Sequence, residues 1–434
     1  MTTQARRDAP DAPTEAPTDA PIRDIPTARY DAVVIGAGPA GATAALALAR
    51  AGRSVAIVER AEFPRRKVCG EFVSGTSAAV LDALGVGGPW RERAGPEVRR
   101  VAIFAGRGTV DAPMPRGEGY GRALGRDVLD AMLLERAREE GAIVRQPWRA
   151  TALERLGDES ALTIEARDGA ERGAGRRTER LVAPVIVAAH GSWERGELPS
   201  HPARDDRPDA LMGFKAHFRG GSLPRHTMPL LAFRGGYGGM VWADDGRLSI
   251  SLCIRRDVLA DLRGRHGGSA AEAVDMHVRL SCRGVREALE GAVLDGPWLG
   301  TGPIRPGIRD AHADDVFRIG NVAGECHPAI AEGISMAVQS AWLLARTLEG
   351  RDLRDRAARE AAGRLYAAAW REQFATRIRA ADVIARVAMR ADRLAPLCMP
   401  LLRAAPAALT LGARMSGKER AVAVGARTAT ARAS

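Results

Sequence analysis

The chain has 434 residues, 46% of them apolar, which is enough to fill a sizeable core in one large composite domain or in two or three ordinary ones. Lys and Arg number 64 against 53 Asp and Glu, a formal net charge of +11, yet the arginines are dispersed and aromatic residues make up only 4%. No basic stripe interleaved with aromatics offers a stacking platform for single-stranded nucleic acid, so a solvated arginine-rich surface is expected and no nucleic-acid partner. The five cysteines (Cys69, Cys253, Cys282, Cys326 and Cys398) are far apart and never form C-x-x-C. That argues against a zinc site or a disulfide framework and suits a reducing compartment. Residues 1–28 alternate Pro, Ala, Thr and Asp without an apolar stretch. They read as a disordered tail, neither signal peptide nor membrane span, and the expected location is cytoplasmic.

Taken in chain order, Tyr30 to Ile35 is a short β-branched run ending at glycine, the pattern of a buried parallel strand. A helix follows from Ala40 to about Arg50 and stops at Gly52, and Ser54 to Glu59 is a second apolar strand, completing a βαβ unit. A Pro/Arg/Gly loop (61–75) leads to a short helix over Thr76 to Leu84, and Asp127 opens a longer one to Glu140. Ala161 to Ala166 alternates like a hairpin strand, and Leu181 to Ala189 returns to a buried-strand pattern. From 208 to 300 the pattern predicts an antiparallel sheet, with strands at Leu211–Phe218, Leu230–Phe233 and Leu248–Ile254. Val316 to Ile319 then enters a glycine-rich loop and a helix from Gly333 to Leu348, after which the chain is mostly helical. The implied units are a nucleotide-binding domain with insertions (29–200), a substrate sheet (201–305), a second part of the first domain (306–350) and a helical C-terminal region (351–434).

Gly36-Ala37-Gly38-Pro39-Ala40-Gly41 follows the first strand and opens the first helix, the context in which G-x-G-x-x-G has a mechanism. The first glycine permits the tight turn, the second admits a pyrophosphate to the backbone, and the third lets helix and strand pack closely. The diphosphate then lies at the positive end of the helix dipole. Glu59, ending the second strand, stands where an acid accepts hydrogen bonds from a ribose diol and disfavours a 2′-phosphate. The motif by itself leaves NAD and FAD both open.

Phe63-Pro64-Arg65-Arg66-Lys67-Val68-Cys69-Gly70-Glu71, Arg126 with Leu129 and Leu133, Ile319-Gly320-Asn321-Val322-Ala323-Gly324 with Pro328, and Glu332-Gly333-Ile334 together resemble the geranylgeranyl reductase-like branch of the flavoprotein superfamily that also holds the aromatic-ring hydroxylases. The resemblance spans residues 30 to 350. It implies an α/β fold: a Rossmann-like FAD-binding domain of the two-dinucleotide, glutathione reductase 2-like type, with an inserted antiparallel β-sheet substrate domain and a helical C-terminus. It implies FAD as cofactor, held by Gly36, Gly38, Pro39, Ala40, Gly41, Glu59, Arg60, Lys67, Arg126, Gly320, Asn321, Gly324, Pro328, Gly333 and Ile334. The sequence departs from the family pattern at Asn321, where aspartate is usual, at Ala331, where glycine is expected, and at Ala188-Ala189-His190-Gly191, which replaces an Asp-Gly. The aromatic substrate-sheet motif is only partly visible, around Gly236 to Trp242.

The same resemblance places Cys69 and Glu71 beside the flavin ring and substrate. Cys69 reads equally as a proton donor and as a small buried hydrophobe with an inert thiol. His327 lies in the loop expected to face the flavin; proton transfer is one reading, a loop-stabilising hydrogen bond the more ordinary one. No matching ligands make Cys326-His327 a metal pair. Trp193, Trp242 and Trp298 are candidates for an apolar channel or simply for core. Arg393 to Arg403, apolar, broken by prolines and flanked by arginines, suits either peripheral contact with the inner face of a membrane or packing on the core. The expected activity is FAD-dependent reduction of a C=C bond in an apolar lipid-, prenyl- or polyketide-like molecule, with NAD(P)H or a separate reductase as electron donor. The alternatives are a flavin monooxygenase on an aromatic or polyketide substrate and a nucleotide-binding module without catalysis.

Overall fold

The computed structural model describes residues 25–166, 177–193, 196–203 and 205–425. Ala32–Ile35 (β1) and Val55–Val58 (β2) are fully buried parallel neighbours, joined by the helix Pro39–Arg50 (α1). The chain then leaves this sheet to form Arg100–Ala105 (β3) and Gly108–Pro113 (β4), and returns through the helix Arg126–Glu139 (α2) to Ile143–Arg145 (β5) beside β2. Val185–Ala188 (β6) pairs with β1 on its other side.

Leu211–Arg219 (β7), Thr227–Phe233 (β8), Gly236–Trp242 (β9) and Leu248–Arg255 (β10) build a second sheet. Three helices follow, Arg256–His266 (α3), Ala270–Ser281 (α4) and Arg283–Ala288 (α5), and then Leu299–Ile304 (β11), which pairs with β7. Val316–Arg318 (β12) completes the parallel sheet beside β6. The remaining chain is helical: Gly333–Leu348 (α6), Arg356–Ala388 (α7), Ala391–Ala404 (α8) and Ala407–Ala413 (α9).

The parallel sheet runs β12-β6-β1-β2-β5, capped at the β12 edge by His312–Ala313. The larger sheet runs β7-β10-β9-β8-β3-β4. Alanines at 42, 44 and 45 let α1 sit close to its sheet, between α2 and α6, and the core around them holds Leu46, Leu133 and Val338. A second core fills the space between the larger sheet and α3 to α5, where Leu259, Val274, Val278 and Val285 meet Phe214 and Leu252.

Three expectations change. Thr27 and Ala28, assigned to the tail, belong to a strand Thr27–Arg29 paired with Arg180 to Val182, while residues 1–24 of that tail lie outside the described residues. Residues 100–113 belong to the second sheet and not to the nucleotide-binding domain, because β3 lies parallel to β8 in direct register from Arg100↔Thr227 to Ala105↔Ala232. The stretch 256–288, which lies inside the region read as an antiparallel sheet, is helical: Ser269 and Glu272 form a reciprocal capping box, and Val274 and Val278 repeat at helical spacing on the buried face.

Candidate functional site

The two sheets enclose a cavity of about 670 Å³, within the range of ligand sites of about 300–1,000 Å³. One end is the β1–α1 turn. Gly36 has φ +100°, and a Cβ there would meet Ala189 O and His190 Cα at 2.8 Å, so only glycine makes this turn. A Cβ on Gly41 would fall 1.8 Å from Gly36 O. Gly41 is absent from the cavity wall and does what the third glycine was expected to do, seating the helix against the strand. No side chain caps α1, so the first N–H groups of that helix remain available to an anion.

Glu59, at the end of β2, is buried; its carboxylate accepts the Ala37 N–H at 2.9 Å and the Ala61 N–H at 3.0 Å. Arg126 opens α2 and is buried with its guanidinium 3.5 Å from the point a Gly38 Cβ would occupy. Asp130 fixes it through two bonds of 2.6 Å, and Arg65 approaches both Asp130 and Glu59. A cation is therefore held at the turn by carboxylates one helical turn away and across the loop. Half-buried Lys67 lies 5.0 Å over the Trp193 ring, its ammonium pushed down to about 8, first by burial and then by Arg126 and Arg65. Trp193 shares this wall, and its indole N–H has no partner among the described residues.

Where the family pattern has Asp-Gly, His190 lines the cavity, bonding Gly191 O and Ser200 Oγ at 2.9 Å. Burial, with His201 packed edge-on at 4.5 Å, pushes its imidazole down to about 3, so it is neutral at physiological pH.

The loop before α6 forms another wall. Gly320, with φ +55°, packs on Ala40 of α1. Asn321 donates its amide to Glu325 Oε1 at 3.0 Å, and Arg305 N–H bonds the other oxygen at 3.2 Å; burial raises the pKa of Glu325. An aspartate at 321 would face this carboxylate, which is the structural reason an amide suits the position. Ala331 adopts φ +52°, the left-handed conformation for which a glycine was expected. Lys418, from the last helical turn of the described residues, donates to Ile330 O at 2.9 Å and Glu332 Oε1 at 2.6 Å, tying the C-terminal region to this loop. Pro328, Gly333 and Ile334 line the cavity as well. Gly324 does not: a Cβ there would strike the Trp370 ring at 2.4 Å, so this glycine serves packing.

Cys69 and Glu71 lie between the two walls. Cys69 is half-buried beside Arg126, takes the Glu71 N–H at 3.4 Å, and has its carbonyl held by Ser251 Oγ of β10 at 2.8 Å. Cys253 and Cys326 share the cavity wall, but burial pushes both thiols up to about 12. Glu71 is buried, has φ +62°, and forms an ion pair with Lys215 and a 2.8 Å bond with His217 Nε2, both on β7. Burial alone would raise its pKa; Lys215 and His217 outweigh that and hold it below the usual carboxylate range. Its geometry is that of an anchor between the loop and the second sheet.

His327 is not on the cavity wall. It sits behind it, with Nδ1 2.8 Å from the Tyr237 hydroxyl and Nε2 3.4 Å from Asp382, and burial lowers its pKa against the pull of Asp382. The geometry is that of the loop-stabilising hydrogen bond. Trp242 donates to Leu223 O and Trp298 packs edge-on to Phe218, both away from the cavity. Sequence reasoning missed Arg65, Asp130, Lys215, His217, Glu325 and Lys418. Asp130 alone left a signal, as an acid four residues after Arg126 on one helix face. Among the described residues no cluster of three metal-ligating side chains occurs.

The donor set fits FAD: uncapped helix N–H groups, a glycine turn with no room for a side chain, a buried arginine at the turn and a carboxylate at the end of β2. Residues 29–205 match the family described as FAD binding domain. The chain is 36% identical over 143 residues to menaquinone reductase of Mycobacterium tuberculosis, covering 33% of this chain and 35% of that protein, so the match spans about a third of the relative's length. It is 29% identical over 327 residues to digeranylgeranylglycerophospholipid reductase 2 of Methanopyrus kandleri, covering 70% of this chain and 73% of that one. The solved flavin-dependent brominase Bmp2 shares the fold with a TM-score of 0.68 at 17% identity, over 91% of this chain and 94% of that one.

Proposed function

We propose, for a chain that carries the FAD-binding domain of the flavoprotein oxidoreductases and is similar to their geranylgeranyl reductase-like branch, that it reduces a C=C bond in an apolar lipid-, prenyl- or polyketide-like molecule. The observation that carries this reading is the composition of the cavity. Its β1–α1 end is polar and cationic, whereas the end between the second sheet and the C-terminal helices is lined by Val101, Ile103, Met228, Leu230, Ile304 and Leu409. Bound FAD supplies two-electron transfer; the chain supplies position, electrostatics and exclusion of water.

The α1 N-terminus and Arg126 receive the diphosphate, Glu59 and Arg60 the adenosine ribose side, and Lys67 adds a cation at the border of the two ends. Asn321, Pro328, Gly333 and Ile334 form the wall for the rest of the cofactor. Cys69 is the candidate proton donor: its thiol is half-buried, on the cavity wall, beside the Arg126 guanidinium. Glu71 and His327 act as positioning residues, through β7 and Tyr237 respectively.

A flavin monooxygenase is the second reading, supported by the fold shared with a flavin-dependent halogenase. In the resemblance, Gly324 stands where many hydroxylases of this superfamily carry a histidine, and the Trp370 ring leaves no room for one here. The test is the visible spectrum of the purified protein, then anaerobic addition of NADPH and a quinone or polyprenyl acceptor. Bleaching by NADPH or an artificial reductant, followed by acceptor-dependent reoxidation without oxygen, is expected. Oxygen uptake in step with substrate would move the assignment to the monooxygenase, and a colourless protein that FAD does not reconstitute would overturn both.

A further inference from the structure

The C-terminal helices α8 and α9 present a surface that the core does not explain. Their inner side is packed: Met399 fits against Gly108 of β4, and Leu409 and Ala413 are buried against the second sheet and line the cavity. Their outer side is apolar and bare. Leu397 and Leu401, one turn apart on α8, are 69% and 70% exposed, and Leu411 and Met415, again four residues apart, are exposed beyond the bend. Pro396, Pro400 and the run from Ala404 to Ala408 are exposed as well, so from 394 to 413 Arg403 is the one exposed charged residue. Such a contiguous apolar face is unusual for a surface that meets only water.

Its borders are cationic. Arg390, Arg393 and Arg403 are exposed and pair with no other described residue, with one exposed acid, Asp392, between the first two, and Arg414 stands beyond the bend, paired with Glu419. Ala391–Ala404 and Ala407–Lys418 are together, though not singly, long and apolar enough to engage a bilayer, and the 105° bend between them suits a pair that lies along its surface. Lys418, bonded to Glu332 and to Ile330 O, pins the far end, so the pair is held as a fixed plate. Ala408 is exposed and lines the cavity, which puts an edge of the cavity at this same face.

We propose that α8 and α9 form a docking face for an anionic lipid bilayer, with Leu397, Leu401, Leu411 and Met415 entering the headgroup–acyl boundary and Arg393 and Arg403 meeting lipid phosphates. The cavity edge at Ala408 then opens toward the acyl layer, the phase in which an apolar substrate is dissolved. This deepens the substrate reading above but does not depend on the redox chemistry, because lipid binding is measured without turnover. Charge decides the occupant: unpaired arginines around an apolar plate complement anionic headgroups and would repel the same face of a second copy.

The experiment is co-sedimentation of the full chain with phosphatidylcholine vesicles, with and without phosphatidylglycerol. Binding is expected, stronger on the anionic vesicles. The variant L397D/L401D is expected to lose about tenfold or more in partition for each leucine, while L280D, which changes an equally exposed leucine on α4, is expected to bind as the parent does. R393E/R403E is expected to remove the preference for phosphatidylglycerol. Melting curves of each variant exclude unfolding as the cause. Failure of the parent chain to sediment, equal binding by L397D/L401D, or a parent dimer that L397D/L401D makes monomeric would overturn the proposal. None of these outcomes touches the flavin spectrum, so the docking face and the redox assignment fail separately.

Discussion

The two ends of the cavity are built in opposite ways. At the β1–α1 end the ligand-facing groups are backbone N–H groups and glycines within six consecutive residues, joined by an arginine and an acid from adjacent elements. At the other end the walls are tied together by partners from different elements: Glu71 with Lys215 and His217, Glu325 with Arg305, and Glu332 with Lys418. The first design tolerates no added side chain, because backbone contacts have nowhere to move. The second tolerates shape changes and is sensitive to loss of one partner of a buried charge.

The largest effect should follow from breaking the backbone design. In Gly41→Val a branched side chain replaces a hydrogen whose Cβ position is already 1.8 Å from Gly36 O. Helix α1 must move off β1, and the expected outcome is loss of flavin from the purified protein together with a large fall in melting temperature; retention of a parent-like flavin spectrum would contradict the packing role. Lys215→Met tests the opposite design. It leaves the Glu71 carboxylate buried with only His217 and backbone groups to face it, at an expected cost of about 3–5 kcal/mol. The pair variant Lys215→Met with Glu71→Gln should recover much of that in a denaturant titration, since the charge that must be compensated is gone.

Acid separates the two ends further. His190, under the β1–α1 turn, has a folded-state pKa near 3 against an ordinary value of 6.5. The unfolded chain therefore binds a proton between these values that the folded chain does not, and stability is lost as pH falls below about 6.5. From pH 7 to pH 5 this group alone accounts for roughly 2 kcal/mol. His201, His312 and His327, whose pKa values are also lowered by burial, act in the same direction. Glu71, with its pKa lowered, adds its loss only below about 4.5. Unfolding free energies at pH 7 and pH 5 should show a smaller difference in His190→Asn than in the parent chain, and an equal difference would remove His190 from the account.

The contrast between the ends also explains what the sequence made legible. The turn 36–41, α1, β2 and α6 were readable because their determinants are local: a glycine spacing, an apolar run, a helix of small residues. Arg126 was readable through the family resemblance, as the arginine that opens a helix, whereas its partner Asp130, one turn away, was not picked out. Lys215 lies 144 residues beyond Glu71 and sits in a strand pattern like any other half-polar position, so no local feature marks it. The same holds for Lys418, 86 residues after Glu332, and for His327, whose position in a glycine-rich loop is visible but whose direction is set by Tyr237 and Asp382. Residues 100–113, which the bounds 29–200 placed with the nucleotide-binding domain, escaped notice as strands of the second sheet for a related reason: their partner β8 lies more than a hundred residues ahead of them.

The smallest effect expected is the most specific one. Asn321 departs from the family's usual aspartate, and Asn321→Asp restores it. In this chain the new carboxylate would replace an amide that now donates to Glu325 Oε1 at 3.0 Å, in a wall where Glu325 is buried and its pKa already raised. Two carboxylates at that distance cannot both ionise without cost, so they come to share a proton and the pair titrates above the ordinary carboxylate range. The sign is then fixed. The folded variant binds a proton that the unfolded chain, with ordinary carboxylates, has released, so the penalty is full above the raised pKa and shrinks as pH falls toward about 4. Asn321→Asp should be less stable than the parent by about 1–3 kcal/mol at pH 8 and lose most of that difference by pH 5. Because the parent chain itself weakens in acid through His190, the comparison must be made between the two proteins at each pH. A pH-independent difference would mean that the amide at 321 serves shape alone, and that Glu325 is not the reason this position carries no charge.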